Sequence, residues 1–129
     1  MAVKLRELYD SIKKFDIELI AGSNGLDNIV TWVHMVESVG LSVFLESQQV
    51  AFTTGIGINN DEELLELVMH IHSNNASGMI INIGPYIKSI PHNVIEFCDT
   101  NNFPLFQVPW RIHMAEIMRE FTYQITVAD

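Results

Sequence analysis

The stretch VAFTTGIGINNDEELLEL, residues 50–67, decides how the chain is read. A run of apolar and β-branched residues, VAFTT, ends in two glycines. It is followed by a helix whose apolar residues recur at spacings of three and four: Leu64, Leu67, Val68 and Ile71. Asn60 suits the N-cap, Glu63 stands three residues on for a capping box, and Asp61, Glu62 and Glu63 lie where a helix dipole favours negative charge. The stretch therefore predicts strand 49–53, a turn, and helix 61–74.

The same alternation repeats downstream. GMIINIG (78–84) predicts a strand leading to helix 91–101, with Pro91 in the first turn, and PLFQVP (104–109) a strand leading to helix 112–125. Continuous apolar strands alternating with amphipathic helices imply a parallel sheet covered by helices. Upstream, Leu5, Leu8, Ile12 and Phe15 mark an amphipathic helix, IELIAG (17–22) a strand, and IVTWVHMVE (29–37) another. The turn signal SNGLDN between these two strands suggests that they pair antiparallel. A short helix fits 39–46. The expected fold is α/β: a mainly parallel, mixed sheet of about five strands with helices packed on it, one domain over residues 1–129.

Bulk properties narrow the function. At 129 residues, 48% hydrophobic and 18% charged, the chain is long enough for one core. Its formal charge of −9 and lack of a basic patch disfavour direct binding of DNA or RNA. The single cysteine, Cys98, cannot form an internal disulfide and lies in an apolar helical run, so an inert buried thiol and a reducing, cytoplasmic setting are expected. The N-terminus has no signal-peptide core, and no apolar run reaches the roughly 20 residues of a membrane span.

The Gly-rich turn does not match a nucleotide fingerprint. GIGINN places Asn60 where a dinucleotide motif carries its third glycine, no Gly-Lys-Ser/Thr triplet exists, and three acids open the helix that would face a phosphate. A neutral polar ligand such as a heterocycle suits it better. Thr53, Thr54, Gly55 and Gly57 follow the carboxyl end of a parallel strand, where open α/β sheets place ligands, and Gly84 holds the matching position after the next strand. Glycines at strand ends also serve simply as turns. His34 and Glu37 are weaker candidates: residues three apart on a continuous strand face opposite sides, so they meet only if the strand stops near Val36.

Other chemistry is poorly supported. The five histidines lack ligand spacing: His70 and His72 point different ways on their helix, and His34, His92 and His113 are scattered. No metal or cofactor is expected, and no nucleophile accompanies His34 and Glu37, so no catalytic residue is assigned. Trp32 and Trp110 have apolar neighbours and read as core. Met114, Ile117, Met118, Phe121 and Ile125 line one stripe of the last helix, suited to covering the sheet or to packing against a second subunit.

Taken in order, AGSNGLDNIVTWVHMVE (21–37), the FTTGIG turn (52–57) and PLFQVP (104–109) resemble the N-terminal domain of purine catabolism regulatory protein-like (PucR-type) bacterial transcription regulators, over roughly Leu5 to Phe121. The resemblance implies a non-enzymatic, effector-sensing regulatory module, with DNA bound only by a separate C-terminal helix-turn-helix domain absent from this chain. It names a small-molecule effector as partner without identifying it; purine or related nitrogen catabolism is the setting the family name suggests. A homodimer formed through the C-terminal helix is the further partner. The rival readings are a ligand-free dimerisation module and, behind it, a small hydrolase or nucleotide-handling enzyme.

Overall fold

The computed structural model describes residues 2–128. A five-stranded sheet forms the centre, in the order β2 (Glu18–Ala21), β7 (Leu105–Pro109), β6 (Gly78–Ile83), β5 (Gln49–Thr53), β4 (Trp32–Met35). Strands β4 to β7 run parallel in sequence order, and β2 closes one edge antiparallel to β7. This is the mainly parallel mixed sheet expected of the alternating pattern. Two short strands, β1 (Val3–Lys4) and β3 (Ile29–Val30), form a separate antiparallel pair.

Helices cover both faces. Strand residues alternate between them, so Val50, Phe52, Ile80, Phe106 and Val108 pack toward α1 (Leu5–Ser11) and α4 (Met114–Ala128). Ala51, Met79, Ile81 and Leu105 pack toward α2 (Asp61–Ser73) and α3 (His92–Thr100). Burial on both sides explains why these strands read as unbroken apolar runs. The buried stripe of α2 is the expected one, Leu64, Leu67, Val68 and Ile71. Its cap is the expected one shifted by a residue: Asn60 Oδ1 accepts the Glu63 N–H at 2.9 Å, but Glu63 reaches back to the Asn59 N–H, also at 2.9 Å. In α4, Met114, Ile117, Phe121 and Ile125 are buried within the chain and Met118 packs beside them.

Three expectations are corrected. The segments 17–22 and 29–37 do not pair with each other; β2 and β4 lie at opposite edges of the sheet. The Asn24-Gly25 signal belongs to a 3-10 turn, Ser23–Gly25, that wraps onto the segment before β7. Gly22 has φ +74°, its N–H bonds Asp99 Oδ1 at 2.7 Å, and a Cβ on Gly25 would lie 2.1 Å from the Asn102 carbonyl oxygen. That close approach carries the chain across the sheet instead of back along it. Second, 29–37 is two strands, and Glu37 lies beyond the second. Third, Trp32 and Trp110 are not core residues: both remain over two-fifths exposed. The helix expected at 39–46 is a 3-10 segment, Val39–Phe44.

The parallel strands follow one another across the sheet without reversal, so no topological switch point opens a crevice. Any hollow at the carboxyl edge must therefore be made by the loops themselves.

Candidate functional site

The turn after β5 is organised by one acid. Glu37 follows β4, which ends at Met35, and its half-buried carboxylate reaches across to the neighbouring strand end. Oε1 accepts the Thr53 hydroxyl at 2.5 Å and the Thr54 N–H at 2.8 Å, while Oε2 accepts the Thr54 hydroxyl. The Gly55 N–H bonds Thr53 Oγ1 at 3.1 Å. Gly55 has φ +84°, a conformation that disfavours any side chain, and Gly57 lies so close that a Cβ would meet the Glu37 carbonyl oxygen at 2.3 Å. Glu37, Thr53, Thr54, Gly55 and Gly57 are thus brought together in one rigid turn.

Gly84 joins this turn through Ile87. Its N–H donates to the Ile87 carbonyl at 2.9 Å, and the Ile87 side chain fills the space where a Cβ on Gly55 would lie, 2.5 Å away. A Cβ on Gly84 itself would meet the Trp110 ring at 2.3 Å, and Trp110 stands edge-to-face with Tyr86, centroids 5.9 Å apart. The threonine-glycine turn and Gly84 therefore share one rim of the sheet.

Between the β5–α2 and β6–α3 loops lies a cleft of about 240 Å³. Ile58 supplies apolar surface, with the buried Leu64 and Ile87 at its base; Asn59, Asn60, Asp61, Lys88 and Ser89 supply polar groups, and Tyr86 an aromatic ring. The threonine-glycine turn touches this cleft through Ile87, which packs on Gly55 and forms part of the wall. Sequence reasoning missed the lining residues. The only signal for them is positional: GPYIKS, 84–89, leaves the same strand end that drew attention to Gly84.

The remaining candidates lie apart. His34 is on β4 in register with Ala51, and no hydrogen bond or ion pair joins it to Glu37. His70 faces Glu66 on the helix surface, whereas His72 packs against the rings of Phe97 and Phe103. Among the described residues no group of three or more His, Cys, Asp or Glu is placed to hold a metal ion. Cys98 is fully buried, and burial, reinforced by Asp99, pushes its thiol from 9.0 up to about 12. No helix among the described residues is long and apolar enough to cross a membrane.

Comparison with known proteins adds the following. The model of the purine catabolism regulatory protein-like family matches residues 8–125. The purine catabolism regulatory protein of Bacillus subtilis (strain 168) is 28% identical over 101 residues, covering 78% of this chain; the chain spans only 19% of that relative's length. Among solved structures, the CBS and DRTGG domains of the regulatory region of Clostridium perfringens pyrophosphatase, complexed with the activator diadenosine tetraphosphate, share the fold. The TM-score is 0.61 at 14% identity, over 90% of this chain and 44% of the other.

Proposed function

The chain belongs to the purine catabolism regulatory protein-like family, and on that premise we propose that it is a non-enzymatic effector-sensing domain of a transcription regulator. Its effector is a small, neutral heterocycle bound in the cleft at the carboxyl edge. The observation that carries this reading is the joining of two loops, through Gly55, Ile87 and Gly84, around one hollow with mixed lining. Ile58, backed by the buried Leu64 and Ile87, suits a flat apolar face, Tyr86 offers a ring for stacking, and Asn59, Asn60 and Ser89 offer hydrogen bonds to polar edges.

Charge selects within that class. The fold neighbour is complexed with a tetraphosphate, but here, among the described residues, Lys88 is the one cation lining the cleft and Asp61, Glu62 and Glu63 open α2 beside it. A polyphosphate would be repelled, while an uncharged ring would not. Glu37, Thr53, Thr54 and Gly57 hold the loop that carries the wall, and Gly55 and Gly84 leave room for Ile87 and Trp110. His34 lies one strand away, outside this arrangement. With a net charge of −9, DNA contact is assigned to a separate domain of the regulator. The family and the Bacillus relative make purines and related nitrogen-rich metabolites the first compounds to test.

Thermal melts with free purine bases, ureides and, for contrast, ATP test the proposal. A ligand at a hundredfold excess over its Kd stabilises by about 2.7 kcal/mol. Neutral heterocycles should raise the midpoint, Tyr86→Ala should abolish most of the shift, and ATP should leave it unchanged. No shift across the panel would favour the ligand-free module.

A further inference from the structure

We propose that the outer edge of β4 is the surface through which two copies of this chain pair, so that the sheet continues from one protomer into its partner. The proposal does not depend on the effector. β4 ends the strand order, and among the described residues no strand lies beyond it. Val36 donates inward to the Phe52 carbonyl at 2.8 Å, so by alternation the N–H groups of Val33 and Met35 point outward.

The two sheet edges differ in how they are protected. At β2 the register shifts between Leu19 and Ala21, Glu18 is present, and the Asp16–Arg111 ion pair stands at the strand's start. Bulges and charges of this kind prevent edge-to-edge pairing. β4 has neither: Trp32, Val33, His34 and Met35 pair with β5 in unbroken register and include no Asp, Glu, Lys, Arg or Pro.

The surroundings of β4 are equally unguarded. Trp32 is 44% exposed and Met35 37%, and the 3-10 segment that leads from β4 toward β5 adds Leu41, Val43 and Phe44, the last 65% exposed. Across residues 28–45 the one charged side chain is Glu37, and its carboxylate is turned inward onto Thr53 and Thr54. The patch is therefore apolar, and the charges that flank it in sequence stand just outside: Asp27, paired with Arg6, and the exposed Glu46.

Charge and geometry together identify the occupant. A basic partner would be drawn to the acidic surfaces of a −9 chain, not to this neutral one. A second copy carries the same −9 and is repelled elsewhere, so close approach is least opposed where neither copy presents a charge. An open strand edge accepts an extended backbone, and antiparallel pairing of β4 with its own copy is self-complementary about a two-fold axis. α4 offers less, because its main apolar stripe is already buried within the chain.

Sedimentation velocity on the chain, with Trp32→Lys, Met35→Lys and Tyr123→Lys, tests the proposal. Tyr123 is an exposed α4 residue and so reports on the alternative interface. The unaltered chain and Tyr123→Lys should sediment as dimers at tens of micromolar, and the two β4 variants as monomers with an unchanged far-UV spectrum. In the unaltered chain, amide exchange at Val33 and Met35 should slow as concentration rises. A monomer throughout, β4 variants that remain dimeric, dissociation by Tyr123→Lys alone, or exchange independent of concentration would overturn it.

Discussion

The Glu37 carboxylate accepts the Thr54 backbone N–H at 2.8 Å, tying the end of β4 to the turn after β5. The same group takes both threonine hydroxyls and, at 3.4 Å, the Gly55 N–H, so four donors in a partly buried turn converge on one side chain. Replacing it by alanine removes every one of these acceptor sites, whereas glutamine keeps one oxygen and its NH2 can donate to the Thr54 hydroxyl. Glu37→Ala should lower stability by about 1–3 kcal/mol, the range for buried donors left without a partner. Urea denaturation checks this; an unchanged midpoint would mean that water replaces the carboxylate at no cost.

Gly57 and Gly84 both leave no room for a Cβ, but what they would strike differs. At Gly57 the obstacle is the Glu37 backbone carbonyl, which cannot move without opening the turn. At Gly84 it is the ring of Trp110, a partly exposed side chain that can swing aside. Gly57→Ala should therefore cost about 1–3 kcal/mol, and Gly84→Ala less. Gly84→Ala should instead alter tryptophan fluorescence as Trp110 leaves Tyr86. Equal losses of stability would contradict this distinction.

Cys98 makes a pH-dependent prediction. In the folded chain burial, with Asp99 adding, raises its thiol from 9.0 to about 12, so the unfolded chain ionises first. Stability from this group is intact below pH 9 and falls as pH rises from about 9 to about 12, by about 1.4 kcal/mol per unit. The pH slope in that window should be shallower in Cys98→Ala. Native protein should also resist thiol reagents until it unfolds.

The parallel part of the fold was legible because its signals are local. Strands buried on both faces leave apolar runs such as Gly78–Ile83, and α2 shows its stripe and its cap within 13 residues. The partners of β2 and β4 were not legible. Asn24-Gly25 has the composition of a hairpin turn, and its contact with the segment before β7 is set by tertiary packing that no local spacing encodes.

At the site, the threonine-glycine turn announced itself by position, but the role of Glu37 did not. Read along the chain it belongs beside His34; in space it serves Thr53, 16 residues away. Tyr86, Lys88 and Ser89 lie in a loop with no periodicity, and only the adjacency of two strand ends brings them opposite Asn59 and Asn60. Trp110 reads as core from its apolar neighbours, yet it stands at the rim because β7 ends one residue earlier.

The most direct test of the site is a map of backbone amide shifts on titration with the neutral heterocycle that raises the melting midpoint most. The account predicts that the largest changes fall on Gly55, Asn59, Asn60, Ile87 and Ser89, flanking the cleft from both loops. Changes centred instead on α1, α4 or the β1–β3 pair, with these five amides unmoved, would contradict it.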